Sequence, residues 1–197
     1  MRLRYTPASP FARKVRVAAA LVSIPLELEL ADTLNASDTI RVQNPLGKIP
    51  ILLLEGRKPL FDSPVILTYL DHVSGGRLIP ADPESRFEAL RLEALADGLM
   101  EAAQLQVYEV RYRPEERRES SWVALQASKV ERALEDLERD PPPANRPPNV
   151  GDIALACGLG YLDLRFEGRW RSTHPNLVTW LDSFIRRAPL FLDSAPA

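Results

Sequence analysis

The sequence predicts an α/β domain followed by an all-helical domain. In the first part of the chain, short runs with strand-like alternation are interleaved with runs of helical periodicity, as in an α/β unit. The segment "SGGRLIPADPES" then contains two glycines and two prolines, which interrupt both patterns and mark a domain boundary. Beyond this segment the periodicity is helical. We therefore predict two domains, over residues 1–76 and 84–197.

Four strands and two main helices are predicted for the first domain. "MRLRY" is typical of a strand, and residues 10–23 carry apolar side chains at helical spacing. "PLELEL" alternates apolar and acidic residues, as a half-buried strand does, and the polar segment 32–44 is expected to form a short helix or a loop. "IPILLLEG" and "RKPLF" predict a third strand and a short fourth strand, joined by a turn at Glu55-Gly56. Residues 64–73 predict a helix.

The second domain is predicted to contain helices and one proline-rich loop. An Ala-, Leu-, Glu- and Arg-rich pattern predicts a long helix over 84–112, and a second helical pattern covers 115–139. "DPPPANRPPN" has five prolines in ten residues and predicts a loop. Asn149 and Asp152 predict a capping box at the start of the next helix, and a last helix is predicted over 175–187.

Composition excludes several classes of protein. The formal net charge of -2 gives no bulk attraction to nucleic acid or to acidic membranes, and apolar runs such as "IPILLL" are far too short to span a bilayer. The one cysteine, Cys157, cannot form an intramolecular disulfide. His72 and His174 have no companion at ligand spacing, so no metal site is predicted. The N-terminal "MRLRYTPASP" lacks the apolar core of a signal peptide, and we expect a soluble cytoplasmic protein.

The first chemically informative motif is "SPFARKVR". Ser9 precedes Pro10, and serine is a preferred helix N-cap while proline is favoured at the first helical position. A hydroxyl at the positive end of a helix also stabilises an anion, such as a thiolate or a phosphate. The motif alone is compatible with a cap and nothing more. We expect Arg13 and Lys14 on a solvated or subunit-facing surface, although Arg13 is near enough in sequence to approach a site at Ser9.

Two further motifs suit a peptide-like ligand. In "NPLGKIPIL", Pro50 opens a strand, and a cis Ile49–Pro50 bond would leave the N–H and C=O of Ile49 facing outward, where an extended peptide can pair with them. A plain strand start is the alternative. In "FDSPVI", Asp62 can hold an ammonium group, while Ser63 and the free N–H groups of a helix start can hold a carboxylate. The alternative there is a helix cap only.

The order and spacing of these motifs resemble the cytosolic glutathione S-transferase superfamily. Strand, "SPFARKVR", strand, "NPLGKIPIL", hairpin and "DSPVI" are similar to the family's N-terminal domain. "NVGDIALACGLGYLDLR" resembles the family's "SxADIxLAxxLxYLDxR" segment. The resemblance covers essentially the whole chain and is strongest to bacterial, serine-type members. It implies the glutathione transferase fold, an α/β thioredoxin-like N-terminal domain plus an all-α C-terminal helical domain.

The resemblance also implies a glutathione site along the edge of the first domain, with glutathione as co-substrate and no metal. The cysteinyl backbone of glutathione would pair with Ile49, the residue before Pro50. Its γ-glutamyl end would be held by Asp62 and Ser63, although many members have Glu at the position of Asp62. Lys48 would contact a glutathione carboxylate or remain a solvated loop lysine.

Ser9 matches the hydroxyl that activates the thiol in serine-type members. Tyr5 and Thr6 lie nearby in sequence and are alternatives for stabilising the thiolate. This region contains no cysteine, which argues against the cysteine-dependent branch of the family. By the resemblance, the pocket for the electrophile would be lined by the loop after the first strand and by the first long helix of the second domain, at Pro7, Phe11, Tyr108, Arg111 and Tyr112.

The activity implied is conjugation of glutathione to small electrophilic, hydrophobic substrates, as in detoxification. Glutathione-dependent peroxidase, thiol-exchange or isomerase activity is the alternative, and so is a non-catalytic regulatory protein that keeps the fold. The family forms homodimers, and the predicted helices over 86–139 would make the centre of that interface. The partners expected are glutathione, a small-molecule electrophile and a second copy of the chain, without nucleic acid or membrane.

Overall fold

A three-stranded mixed sheet organises the first domain. In the computed structural model, which describes residues 1–195, β1 (Arg2–Tyr5) is the central strand. It runs parallel to β2 (Glu27–Leu30) and antiparallel to β3 (Ile51–Leu53). Leu3 pairs in register with Leu52, and both side chains are fully buried in the same apolar cluster. The predicted α/β domain with an all-helical second domain is confirmed.

The prediction of a fourth strand at "RKPLF" is wrong. Only one bridge forms there, between Leu52 and Leu60, whose backbone groups exchange hydrogen bonds of 2.9 and 3.0 Å. Pro59 has no N–H to donate to a ladder. The chain also reaches Asp62, the N-cap of the next helix, two residues after Leu60, so no second strand pair can follow. The predicted turn is present, with Gly56 at a φ of 66°.

Three helices lie in the first domain: α1 (Pro10–Leu21), α2 (Ile40–Gln43) and α3 (Ser63–Val73). The two long ones confirm the predicted helices, and α2 is the short helix expected in the polar segment before β3. The left-handed conformation of Ser23, at a φ of 60°, cannot continue a right-handed helix and ends α1. α1 packs against α3 on one side and against the second domain on the other.

The second domain is helical, as predicted. Its helices are α4 (Pro83–Tyr112), α5 (Ser120–Arg139), α6 (Val150–Phe166), α7 (Pro175–Arg187) and α8 (Leu190–Asp193). The helix predicted from residue 115 begins only at Ser120, because a separate 3₁₀ turn occupies Glu115–Arg117, and α8 was not predicted. Residues 196 and 197 of the predicted domain lie outside the described part of the chain. Across residues 1–195, every helix is too short or too polar to cross a bilayer.

Helix α6 lies at the centre of the second domain. The predicted capping box is present: the Asn149 side chain accepts from the Asp152 N–H at 3.1 Å, and the Asp152 carboxylate accepts from the Asn149 N–H at 2.9 Å. Arg146 donates to the same buried carboxylate. Residues 150–159 are all buried, so α6 is enclosed by the rest of the domain and its N-terminus needs these internal partners.

The first helix also carries two buried cations, which corrects the expectation that Arg13 and Lys14 lie on a surface. Arg13 is 6% exposed and Lys14 is fully buried. Lys14 Nζ lies 3.0 Å from Glu93 Oε1 and 2.6 Å from Asp97 Oδ1, both on α4. The sequence did not show this, because "ARKVR" reads as a polar stretch until α4 and α6 pack against α1.

Candidate functional site

Ser9 is the N-cap of α1, and its geometry leaves its hydroxyl proton available. Its Oγ accepts from the Ala12 N–H at 3.2 Å, and its own N–H donates to the Thr6 carbonyl at 3.1 Å. A hydroxyl that accepts one hydrogen bond can still donate its proton to another group. Ser9 is half-buried. Capping the helix and donating to an anion are therefore compatible roles for this side chain.

A small cavity lies beside Ser9 between the start of α1 and one face of α6. Its lining is formed by Pro7, Ala8, Ser9, Pro10, Arg13, Cys157, Gly160, Tyr161 and Leu164. The four residues from α6 were missed as site residues. Their spacing of three or four residues was visible in the sequence. However, α6 is apolar on almost every side, so the sequence could not show which of its faces meets α1.

The two alternative hydroxyls lie elsewhere. The Tyr5 ring packs against the main apolar cluster, and the Arg16 guanidinium lies 5.4 Å from its centroid. Thr6 contributes its carbonyl to the turn before α1. Neither side chain lines the cavity beside Ser9. The structure therefore brings Ser9 to the cavity and leaves Tyr5 and Thr6 outside its lining.

The segment before β3 exposes an unpaired backbone residue. The Ile49–Pro50 bond is cis, which is one of the two alternatives that "NPLGKIPIL" left open. Asn44 holds the preceding loop, since its amide donates to the Lys48 carbonyl at 2.9 Å and its Oδ1 accepts from Leu46 N–H at 3.0 Å. Within residues 1–195, neither the N–H nor the C=O of Ile49 has a hydrogen-bond partner. Ile49 thus offers a donor and an acceptor to an extended ligand, and Lys48 is exposed next to it.

At the start of α3, an exposed carboxylate stands next to a buried hydroxyl. Asp62 is the N-cap, and its side chain accepts from the Ser63 N–H. Ser63 is fully buried, and its Oγ has no hydrogen-bond partner in the described part of the chain. Leaving a buried hydroxyl unsatisfied costs about 1–3 kcal/mol. The exposed Asp62 carboxylate can receive an ammonium group, and the Ser63 hydroxyl has a proton left to donate to a carboxylate.

Close to this site, Lys14 of α1 forms ion pairs with Glu93 and Asp97 of α4. Burial raises the pKa of the Asp97 carboxyl from 3.8 to about 6, against the opposing effect of the Lys14 ammonium. Glu93 and Asp62 raise it further by repulsion. Asp62 therefore lies within electrostatic range of Asp97, but among residues 1–195 it forms no ion pair with this network.

The residues predicted to line the electrophile pocket are only partly brought together. Pro7 lines the cavity beside Ser9, whereas Phe11 packs on the main apolar cluster. The Tyr108 and Tyr112 rings meet edge to face at 5.1 Å, and Arg111 lies 5.8 Å from the Tyr112 centroid. These three residues of α4 do not line that cavity.

Tyr108 nevertheless connects this cluster to α6. Burial raises the pKa of its phenol, Tyr112 raises it further, and the cations Arg111 and Arg165 lower it. Tyr161, which lines the cavity, lies within electrostatic range of Tyr108, and burial raises its pKa as well. Tyr161 is thus the member of this group that reaches the cavity, and Tyr108 lies within electrostatic range of it. Within residues 1–195, no three His, Cys, Asp or Glu side chains are grouped to hold a metal ion.

Comparison with known proteins connects this geometry to one family. The chain matches the model of the glutathione S-transferase N-terminal domain over residues 8–73 and that of the C-terminal domain over 120–183. It is 32% identical over 192 residues to the uncharacterized GST-like protein YibF of Escherichia coli strain K12, with 95% of each chain covered.

Solved structures agree with this match. A glutathione S-transferase from Methylobacillus flagellatus with GSH bound has a TM-score of 0.93 and 40% identity, covering 100% of this chain and 99% of its own. A glutathione transferase family member from Pseudomonas fluorescens with bound glutathione has a TM-score of 0.91 and 37% identity, covering 100% and 98%. The fold, the two domain matches and the near-complete coverage show that this chain belongs to the cytosolic glutathione S-transferase superfamily.

Proposed function

We propose that this protein conjugates the thiolate of glutathione to small electrophilic, mainly hydrophobic molecules. The observation that carries the proposal is the Ser9 hydroxyl, which lines a cavity at the N-terminus of α1 with its proton free to be donated. A hydroxyl donor and a helix N-terminus both favour an anion at this position. A thiol with a pKa of about 8.5 is mostly un-ionised at neutral pH and gains reactivity when its thiolate is stabilised.

The residues at the edge of the first domain would bind glutathione. The free N–H and C=O of Ile49 pair with the cysteinyl backbone, next to the cis bond at Pro50. The Asp62 carboxylate receives the γ-glutamyl ammonium, and the unpartnered Ser63 hydroxyl donates to the γ-glutamyl carboxylate. Lys48 contacts a carboxylate of glutathione. The bound glutathione in the Methylobacillus and Pseudomonas structures supports glutathione as the ligand.

The reaction is a nucleophilic substitution. The S–H proton passes to water and its electron pair stays on sulfur. The thiolate then forms a C–S bond with the electrophilic carbon, and the leaving group departs with the electrons of the bond that breaks. Ser9 holds the thiolate by donating its hydroxyl proton in a hydrogen bond, so the positive end of α1 and this donor act on the same atom. Pro7, Phe11, Tyr108, Arg111 and Tyr112 are proposed to contact the electrophile.

Ser9→Ala tests this assignment. Glutathione binding is measured by calorimetry, and turnover is measured with chlorodinitrobenzene, whose leaving group is chloride. We expect kcat/KM to fall on the order of 10²-fold, as when a hydrogen-bond donor to a developing anion is removed. Ser9→Thr, which keeps a hydroxyl, should recover part of the activity.

Asp82→Ala is the matched control, because Asp82 caps α4 through the Ser85 N–H at 3.0 Å and lies outside the cavity lining. Both changes remove a side-chain helix cap. Only Ser9→Ala should lower turnover. Unchanged turnover in Ser9→Ala would assign the thiolate to Tyr5 or Thr6, which Tyr5→Phe and Thr6→Val then separate. A wild-type protein that binds no glutathione would disprove the proposed activity.

We also propose that the protein acts as a cytoplasmic homodimer in detoxification. Helices α4 and α5 carry exposed apolar side chains, with Phe87 69%, Trp122 41% and Leu125 48% exposed, which supports an interface along these helices. Analytical ultracentrifugation of the wild type should show a dimer. Phe87→Arg should shift the equilibrium toward the monomer, and a monomeric wild type would contradict this part of the proposal.

A further inference from the structure

Arg13 shares the cavity with Ser9. The two residues are four positions apart at the start of α1, so their side chains lie on the same face of the helix. Both line the cavity beside α6, yet the Arg13 side chain is almost completely withdrawn from solvent, at 6% exposure. A guanidinium remains protonated in proteins. The cavity that contains the Ser9 hydroxyl therefore also contains a buried positive charge.

The C-terminal helix holds this guanidinium in place. Nε of Arg13 donates to Ser194 Oγ at 2.9 Å, and Nη2 donates to the Phe191 carbonyl at 3.0 Å. The Phe191 ring centroid lies 3.9 Å from the Arg13 Cζ. Ser194 Oγ in turn donates to the Phe191 carbonyl at 2.6 Å. These contacts use two of the three guanidinium nitrogens, and within residues 1–195 Nη1 donates to no group.

Arg13 has no anionic partner among residues 1–195. No side-chain carboxylate there lies within 4 Å of its guanidinium. Asp163 on α6 is in electrostatic range but is bonded to Arg171, and burial raises the pKa of the Cys157 thiol to about 12, so this thiol is neutral. Arg16, the nearest cation on α1, adds repulsion.

Burying a charge is costly, because removing an ion from water costs several kcal/mol. Among residues 1–195, only neutral groups of Ser194 and Phe191 offset this cost for Arg13. Charged groups kept under such conditions are concentrated at functional sites. The neutral contacts from Ser194 and Phe191 orient the guanidinium without neutralising it. Among residues 1–195, the cavity next to Ser9 therefore carries a positive charge with no carboxylate paired to it.

We propose that Arg13, held by α8, is the buried cation that stabilises the glutathione thiolate at Ser9. This proposal rests on the proposed function. Ser9 donates one hydrogen bond to the sulfur, and Arg13 supplies the net positive charge that compensates the negative charge formed when the S–H proton leaves for water. An opposite charge within about 4–6 Å of an ionisable group shifts its equilibrium toward the charged form by about 1–3 pH units.

The test is the thiol pKa of bound glutathione, measured from the ultraviolet absorbance of the thiolate in the binary complex across pH. Arg13→Met removes the charge and keeps an apolar side chain of similar length. We expect it to raise the thiol pKa by at least about one unit. Arg13→Lys keeps the charge and should restore most of the shift, which a purely structural role of Arg13 does not predict.

Arg16→Met is the matched control. Arg16 donates to the Ser194 carbonyl at 3.1 Å, so the change also removes a contact with the C-terminal segment, but Arg16 does not line the cavity. The thiol pKa should be unchanged. S-methylglutathione is the control ligand, since it has no ionisable thiol. Its affinity should be the same for Arg13→Met and the wild type, whereas glutathione affinity should fall at high pH only.

The outcomes separate the two proposals. If the wild-type protein binds no glutathione, both proposals are disproved. Glutathione binding with the same thiol pKa in Arg13→Met and the wild type overturns the role of Arg13 and leaves the proposed activity standing. If Arg13→Met does not fold by circular dichroism, Arg13→Gln decides the question. Arg13→Gln removes the charge and keeps an amide that can donate to one of the acceptors of Arg13, and an unchanged thiol pKa in that variant would overturn the proposal.

Discussion

Nη1 of Arg13 lies 2.5 Å from the position that a Cβ atom would take on Gly160. Real Cβ atoms do not approach another atom so closely, so the buried guanidinium requires a glycine at this position of α6. Gly160 and Arg13 are 147 positions apart in the chain and line the same cavity. A glycine at position 160 of α6 is thus needed to accommodate the guanidinium that lies beside Ser9.

Gly160→Ala should displace the guanidinium without unfolding the protein. The clash is with the end of a side chain, and alanine gains about 0.5–1 kcal/mol over glycine in a helix interior, so stability should change by no more than about 1 kcal/mol. The thiol pKa of bound glutathione should rise. Gly158→Ala is the control, since its Cβ would lie 3.4 Å from Leu99 Cδ2 and away from the cavity. Equal thiol pKa values in both variants would contradict the prediction.

Lys14→Met should destabilise the protein strongly. Lys14 is fully buried between Glu93 and Asp97. Removing its ammonium group leaves both carboxylates without the cation that pairs with them. Breaking a buried ion pair in this way costs about 3–5 kcal/mol. Urea unfolding measures the loss. Lys58→Met, at an exposed lysine, should stay within about 0.5 kcal/mol of the wild type.

A double variant checks the cause of that loss. Adding Glu93→Gln to Lys14→Met removes one of the two uncompensated charges, and it should recover part of the lost stability. If the two changes are additive, the cost of Lys14→Met comes from lost packing and not from the unpaired carboxylates.

Asp97 should give the protein a pH-dependent stability at acidic pH, between about 3.8 and 6. Burial raises the pKa of this carboxyl from 3.8 to about 6, so the folded state binds its proton more tightly than the unfolded state. The associated stability is fully present below pH 3.8 and is lost as pH rises through about 6. The free energy of unfolding of Asp97→Asn should lack this decline, so the difference from wild type should change over that range. Parallel curves for the two proteins would contradict the assignment.

Asp82→Asn provides a control of opposite sign. Hydrogen bonds from Ser85 lower the pKa of the Asp82 carboxyl. Its contribution to stability is therefore present above the unfolded pKa and is lost as pH falls through the folded one. Titrating both variants by urea unfolding distinguishes a buried carboxyl from a capping one.

Gly151→Ala should disrupt the packing of α6 against α4. A Cβ on Gly151 would lie 2.6 Å from the Ala89 carbonyl oxygen and 2.8 Å from Leu92 Cβ. The Ala89 atom is backbone, so the helices must separate, and overpacking of this kind costs about 1–3 kcal/mol. Gly98→Ala, with no atom within 4 Å of its Cβ, should instead stabilise α4 by about 0.5–1 kcal/mol. Thermal unfolding of the two variants should therefore shift in opposite directions.

The sequence predicted those features of the candidate site that depend only on residues close together in the chain. Ser9 and Asp62 are helix caps, each predicted from adjacent residues, whereas the cis Ile49–Pro50 bond was one of two alternatives that adjacent residues left open. The capping box of α6 was readable for the same reason, since Asn149 and Asp152 satisfy each other's backbone within three residues. The assignment of these residues to glutathione came from the order of the motifs and remains a proposal.

The prediction of a fourth strand was wrong because strand pairing is not a local property. "RKPLF" has the composition of a strand, but Pro59 and the nearby start of α3 leave only the bridge at Leu60. The expectation that Arg13 and Lys14 lie at the surface was wrong for a related reason. A charged side chain in a helix is expected at the surface unless distant residues supply partners. Lys14 finds carboxylates on α4, and Arg13 finds neutral acceptors at Phe191 and Ser194.

The sequence by itself determined the two-domain order, the helix starts and the hydroxyl at the beginning of α1, because propensities and caps act between neighbours in the chain. Only the tertiary structure decided which face of α6 meets α1, and therefore that Tyr161, Gly160 and Arg13 share a cavity with Ser9. It also decided that Lys14 is buried. These features depend on how helices distant in sequence pack, and packing is set by the shapes of all the surfaces in contact and not by any one segment.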